Sequence, residues 1–318
     1  MNRRARRALL SISALLGALI LAPSSGPADT GDTVVSFTFD DIWADQKAAL
    51  DVLAEHDMSA TIYTISSRVG AEGSLGFLDL KGYLQDGFEI GGHTVDHVDL
   101  TRVSLEEVEH QVCDDRAKLG AMGFGPASFA YPHGAYNKQI KKVVKDCGYH
   151  SARALPGLRS PGFGDKGCLV GCPPAESIPP QDPYVIRTPA TVRTSTTVDI
   201  LEEDVTQAER VGGWVPLVFH HICERQCADS AMSIEDFTEF VDWLDKQPGT
   251  RVETVGQVMR PPPAAADYAS LARAPALTVL GFGIGQSQVM ALGLSLAVIG
   301  TVAYRTGTRR RRYVGRGE

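Results

Sequence analysis

Basic side chains are scarce in the body of this 318-residue chain. It holds 31 lysines and arginines against 38 aspartates and glutamates. Ten of the basic residues stand at the two ends: Arg3, Arg4, Arg6 and Arg7, then Arg305, Arg309, Arg310, Arg311, Arg312 and Arg316. The stretch between them is strongly acidic, which excludes the basic face that a nucleic-acid partner needs. No internal repeat is visible, so a solenoid or propeller is excluded. Long apolar runs are also missing, except near the ends.

Those two runs set the expected organisation. Ala8 to Ala22 follows the first arginines, and Gly26-Pro27-Ala28 offers a cleavage site, so residues 1–28 read as a secretory signal. Residues 277–303 carry no charged side chain and would reach about 40 Å as a helix, enough to cross a bilayer core with tilt. The basic tail at 304–318 gives a stop-transfer pattern with the tail in the cytoplasm. Residues 261–276, opened by Pro261-Pro262-Pro263, read as a stiff linker. The expectation is a single-pass protein of the cell membrane whose domain, residues 29–260, lies outside the cytoplasm. Cysteine is sparse: Cys113, Cys147, Cys168, Cys172, Cys223 and Cys227. An even number in an exported chain favours disulfides, although the two CxxxC pairs also suggest zinc; spacing does not choose the pairing.

Within 29–260, strand-like and helix-like stretches alternate. Strands are expected at Thr33–Phe39, Ser59–Ile65, Phe88–Gly91, Ser128–Tyr131, Tyr184–Thr188 and Trp214–Phe219, with Val252–Val258 closing the series. Helices are expected at Asp45–His56, Ser104–Met122, Lys138–Asp146, Val198–Arg210 and Ile234–Lys246. Repeated βα units predict an α/β fold with a parallel sheet and outer helices. About seven strands in this length suit barrel-like closure. Pro156 to Pro183, rich in Gly and Pro, reads as a long loop near the site mouth.

Chemistry concentrates where the strands end. The apolar run Ser36-Phe37-Thr38-Phe39 closes on Asp40-Asp41, and His93-Thr94-Val95-Asp96-His97 follows a Gly91-Gly92 turn. One Asp and two His make a three-ligand metal set with room for water, and the spare Asp can act as base: the pattern of metal-assisted acyl hydrolysis. Adjacent aspartates repel, and a bound cation would relieve that cost. Asp40, Asp41, His93, His133 and His220 all fall at or just beyond strand C-termini, where barrel chemistry gathers.

Four segments in order, Thr38-Phe39-Asp40-Asp41, His93 to His97, Phe129-Ala130-Tyr131-Pro132-His133-Gly134 and Leu217-Val218-Phe219-His220, resemble the polysaccharide deacetylase family, carbohydrate esterase family four. The resemblance implies a distorted (β/α) barrel and removal of N-acetyl groups from N-acetylhexosamine polymers of the cell wall or extracellular space. It implies one divalent ion, zinc by ligand type, held by Asp41, His93 and His97. It makes Asp40 the general base, the backbone N–H of His133 an oxyanion donor and His220 the general acid. Ala130 stands where many members have the Arg that tethers the base, so Arg187 or Arg193 supplies that charge, or no residue does; Arg187 is favoured. His221 stands where the family usually has Asp. Two further readings follow from the departures: a catalytically silent carbohydrate-binding protein, and a hydrolase of small amides or cyclic imides.

Overall fold

The computed structural model describes residues 33–160, 171–224 and 227–260. The expected signal segment, linker, membrane span and basic tail lie outside the described residues. Among the described residues, no helix is long and apolar enough to cross a membrane.

Nine strands are described: β1 Thr33–Asp40, β2 Ala60–Thr64, β3 Glu89–Gly92, β4 Ser128–Ala130, β5 Ser151–Arg153, β6 Gly213–Phe219, β7 His221–Cys223, β8 Ala231–Ser233 and β9 Thr250–Val252. Seven of them form one parallel sheet in the order β5-β4-β3-β2-β1-β6, with β9 also on β1. The helices are α1 Lys47–Glu55, α2 Phe77–Gln85, α3 Leu105–Glu109, α4 Asp115–Ala121, α5 Lys138–Asp146, α6 Val198–Glu209, α7 Ile234–Leu244 and α8 Val255–Val258. The curled parallel sheet with flanking helices fits a (β/α) barrel.

β1 pairs with three strands, β2, β6 and β9, and all eight of its residues are buried. Its period-two alternation assigns each side chain a layer. Val35, Phe37 and Phe39 pack outward with Phe219, Phe237 and Phe240 beneath the helices; Phe39 lies 5.4 Å from Phe219, and Phe37 lies 5.7 Å from Phe237. Each such fully buried side chain contributes about 1.5–3 kcal/mol. The inner row starts with Val34, which packs with Tyr63, Trp214 and Val255. It continues through Ser36, whose hydroxyl donates to Glu253 O at 2.6 Å, and Thr38, which donates to Leu217 O at 2.7 Å. Asp40 ends this inner row. The alternation that makes the strand stable therefore turns Asp40 into the barrel mouth.

The outer helices follow local rules. α5 starts at Asn137, whose side chain accepts from the N–H groups of Gln139 and Ile140, and it buries Ile140, Val143 and Val144 on one face. α7 starts at Ser233, capping Asp236 N–H, and buries Phe237, Phe240, Val241 and Leu244.

Closure is irregular. Between the edge strands β5 and β6 runs a segment that touches both: Arg153 bridges Ile186, and Glu176 bridges Trp214. The strand expected at Tyr184–Thr188 is reduced to that one bridge at Ile186, because Pro183 and Pro189 on either side lack the N–H a ladder needs. Strand β5 and helix α2 were not foreseen. The helix expected over Ser104–Met122 is present, but it passes through a π turn at His110–Asp114 between α3 and α4. The last expected strand splits into β9 and the short helix α8. Two disulfides, Cys113–Cys147 and Cys223–Cys227, are formed, and Cys172 is also disulfide-bonded.

Candidate active site

The site residues sit in unusual backbone. Six non-glycine residues have positive φ among those described, and five are at the site: Asp41 (75°), Ile42 (55°), Thr94 (68°), His97 (60°) and His133 (58°). Each left-handed L-residue costs about 1–2 kcal/mol. Such strain persists only where surrounding contacts over-determine it, and it clusters at functional positions. The contacts are visible. Thr94 O and Val95 O accept from the N–H groups of Ser66 and Ser67, and Thr94 Oγ1 accepts from His97 N–H at 2.8 Å. Gln111, in the π turn, is buried; its carbonyl accepts from Val95 N–H, and its amide exchanges bonds with Asp96 at 2.9 and 3.1 Å. A π turn inside a helix frequently marks a functional site, and this one clamps the His93–His97 loop.

Gly91 and Gly92 are the last two residues of β3 rather than a turn. Glycine is required there by crowding. A Cβ on Gly91 would stand 2.6 Å from the Tyr63 ring, and one on Gly92 would overlap Tyr149 Oη.

Asp41, His93 and His97 come together. Asp41 Oδ1 lies 3.5 Å from His93 Nε2 and 3.3 Å from His97 Nε2. Their ligand atoms all lie within 4.8 Å of one another. His93 is buried, and its Nδ1 is 2.8 Å from Ala130 O. A carbonyl only accepts, so Nδ1 carries a proton, and Nε2 is the nitrogen turned toward Asp41. Asp41 Oδ1 and His93 Nε2 are buried and have no hydrogen-bond partner. Burial raises the Asp41 pKa, but His93 and His97 outweigh it and hold the carboxyl well below its usual range. Burial lowers His93, yet Asp41 and Asp40 bring it above its ordinary value. Burial, then His93, bring His97 down to about 4, so its ring is neutral at pH 7. A carboxylate facing the Nε2 atoms of two imidazoles, with orphaned buried atoms between them, fits a divalent cation by donor type.

Asp40 is buried 2% exposed at the end of β1. Both its oxygens accept from Arg153 Nη2, at 2.7 and 2.6 Å. Burial raises its pKa, and Arg153, His93 and His220 more than offset that, leaving the carboxyl below its usual value and ionised. Arg153 is the charge expected from Arg187 or Arg193, and that expectation is corrected here. Arg187 is bound to Glu176 at 2.6 and 2.9 Å, and Arg193 makes no ion pair with Asp40. Arg153 is fully buried, its guanidinium carbon 5.1 Å above the Tyr63 ring. The sequence reading missed it because three-residue β5, with small Ser151 and Ala152, carries too little pattern to read as a strand. The expected βα alternation after Lys138–Asp146 was the signal that called for one.

His220 follows β6. Its Nε2 lies 3.9 Å from Asp40 Oδ2. Burial lowers its pKa more than Asp40 and Asp41 raise it. One side chain ties it to Asp40: Gln46, fully buried, donates from Nε2 to Asp40 O at 2.6 Å and to His220 O at 2.7 Å. Sequence reading overlooked Gln46. His133 lies in the turn Pro132–Gly134, exposed, with its ring edge-on to His97 at 4.7 Å. Short contacts therefore link the six residues singled out from the sequence: Asp40 with His220, Asp41 with His93 and His97, and His97 with His133.

At the ends of parallel strands, Asp40 and His220 thus stand beside Asp41, His93 and His97, a set that could hold a metal ion, and this arrangement suits a hydrolase. Residues 28–152 match the family model described as polysaccharide deacetylase. A peptidoglycan-N-acetylglucosamine deacetylase, PgdA, of Listeria monocytogenes is 31% identical over 113 residues, covering 35% of this chain and 23% of that one. A peptidoglycan-N-acetylglucosamine deacetylase of Bacillus cereus is 29% identical over 124 residues, covering 38% of this chain and 55% of the other. The chain spans about half the length, or less, of these curated relatives. Among solved structures, the peptidoglycan deacetylase PdaC of Bacillus subtilis aligns at 21% identity with a TM-score of 0.46, covering 72% of this chain and 91% of that one.

Proposed function

We propose that this protein is a metal-dependent hydrolase that removes N-acetyl groups from an N-acetylhexosamine polymer. The observation that carries this is Asp40: ionised by its pair with Arg153, 3.9 Å from His220, and next in sequence to the Asp41, His93 and His97 set. Binding alone needs neither a buried base nor an acid beside it. The one motive for a catalytically silent reading was a missing arginine, and Arg153 supplies it.

Asp41, His93 and His97 would hold the cation, and the imidazole and carboxylate donors suit zinc. Such an ion, when bound, acidifies water and polarises a carbonyl. The chain's own groups do the rest. Asp40 accepts the proton of the attacking water, and Arg153 keeps its carboxylate charged for that task. The backbone N–H of His133 stabilises the developing oxyanion. His220 delivers a proton to the departing amine, and its depressed pKa makes the protonated ring a stronger acid. The peptidoglycan deacetylases among the relatives favour a cell-wall glycan as substrate. Export and tethering by residues 277–303 would keep the protein beside it.

The test is acetate release from a panel of peptidoglycan, chitin and poly-N-acetylglucosamine oligomers, before and after chelation and zinc repletion. Release that chelation abolishes and zinc restores is expected. Metal-loaded protein that frees no acetate from any member overturns the reading.

A further inference from the structure

His221 and Trp43, which follows Asp41 and Ile42 after β1, have no part in the chemistry above, yet they reach the metal-set carboxylate from its other side. Trp43 Nε1 donates to Asp41 Oδ2 at 3.3 Å, the oxygen other than the one that faces the histidines. The Trp43 ring stacks on His221, with centroids 4.6 Å apart and planes at 28°. The Arg68 guanidinium carbon lies 5.2 Å from the same ring. His221 is itself oriented, because its Nδ1 is 2.7 Å from Asp45 Oδ2. Asp45 belongs to the one 3-10 turn, Ala44–Gln46, that also carries Gln46. A line of contacts thus runs Asp45, His221, Trp43, Asp41. A carboxylate that offers one oxygen to a cation is otherwise free to rotate about its terminal bond. A donor on the second oxygen fixes its plane, and such partners typically change metal affinity 10–100-fold when removed.

We propose that Trp43 is a positioning residue for Asp41, and that His221, held by Asp45, keeps the indole N–H aimed at it. This rests on the reading of Asp41, His93 and His97 as metal ligands. Trp43→Phe keeps a ring for the stack and deletes only the donor. Its zinc affinity, measured by competition with a chromophoric chelator, falls 10–100-fold, while the melting temperature of the metal-free protein stays within about 2 °C of wild type. His221→Phe keeps the stack but frees it from Asp45; its affinity falls a few-fold. The double variant matches Trp43→Phe alone, because His221 acts through Trp43. In the unaltered chain, ¹H–¹⁵N spectra should show the Trp43 indole cross-peak moving on zinc addition, with those of Trp214 and Trp243 still. That readout does not depend on any variant folding. Unchanged affinity in Trp43→Phe, or a still Trp43 cross-peak while zinc binds, overturns the proposal. Additive losses overturn the role of His221. Wild-type protein that binds zinc but frees no acetate defeats the hydrolase reading and leaves this one standing. Wild-type protein that binds no zinc defeats both.

Discussion

Arg153 holds Asp40 through a single nitrogen, Nη2, which lies 2.7 and 2.6 Å from the two carboxylate oxygens. Its Nε and Nη1 are buried without hydrogen-bond partners, and its charge rests on the Tyr63 ring. Nearly the whole polar investment of a fully buried arginine is thus directed at one carboxylate. Removing one partner of a buried pair leaves an uncompensated charge, at a cost of about 3–5 kcal/mol. Arg153→Met should destabilise the fold by that amount in denaturant titration. It should also raise the Asp40 pKa, so the acid limb of the pH–rate profile moves to higher pH. An unmoved limb would show that Arg153 does not set the charge of Asp40.

Gln46 makes a different prediction. It leaves the side chains of Asp40 and His220 untouched and joins only their carbonyls, at 2.6 and 2.7 Å. Gln46→Met fills the same space without donors and strands two buried acceptors, costing about 1–3 kcal/mol for each. Zinc stoichiometry should stay at the wild-type value while kcat falls at least ten-fold with little change in KM. Loss of zinc in step with kcat would count against this division of roles.

Gly92 tests the packing behind the histidine loop. Its absent Cβ leaves room for Tyr149 Oη, which donates to Asp115 Oδ2 at 2.8 Å. Gly92→Ala should cost about 1–3 kcal/mol by overpacking and displace His93, the next residue. Calorimetry and zinc affinity should fall together. An alanine variant with wild-type values for both would contradict the crowding argument.

Asp204 gives a pH signature away from the site. Burial pushes its carboxyl up to about 8, against the bond donated by Ser160 at 3.0 Å. The folded pKa is therefore above the unfolded value, near 4. Between these values the folded chain keeps a proton that the unfolded chain releases. This contribution is fully present below about pH 4 and is lost as pH rises through about 8, with a slope of up to about 1.4 kcal/mol per pH unit. Asp204→Asn should flatten the decline in melting temperature from pH 5 to 8. An identical slope in both proteins would refute the assignment.

The residues whose sequence signal was strongest lie close together in the fold. Asp40, Asp41, His93, His97, His133 and His220 stand in motifs that combine strand pattern with chemical type, and strands β1 and β6 are long enough for their periodicity to show. What escaped reading is short or tertiary. Arg153 lies in a three-residue strand, and its task depends on a carboxylate 113 positions away. Gln46 works by reaching backbone carbonyls, which leaves no trace in residue type. Gly91 and Gly92 looked like a turn because glycine serves both turns and close packing, and only the neighbours Tyr63, Tyr149 and Asp115 decide between them. The closure near Ile186 is irregular backbone, for which a period has no meaning.

The central claim is that Asp40 serves as base beside a metal held by Asp41, His93 and His97. The most direct measurement compares wild-type protein with Asp40→Asn, each loaded with zinc, for zinc content and acetate released from N-acetylglucosamine oligomers. The account predicts equal zinc in both proteins, acetate from the first, and a loss of at least 100-fold in the second, the scale of general-base assistance. Turnover retained by Asp40→Asn at equal zinc would contradict it.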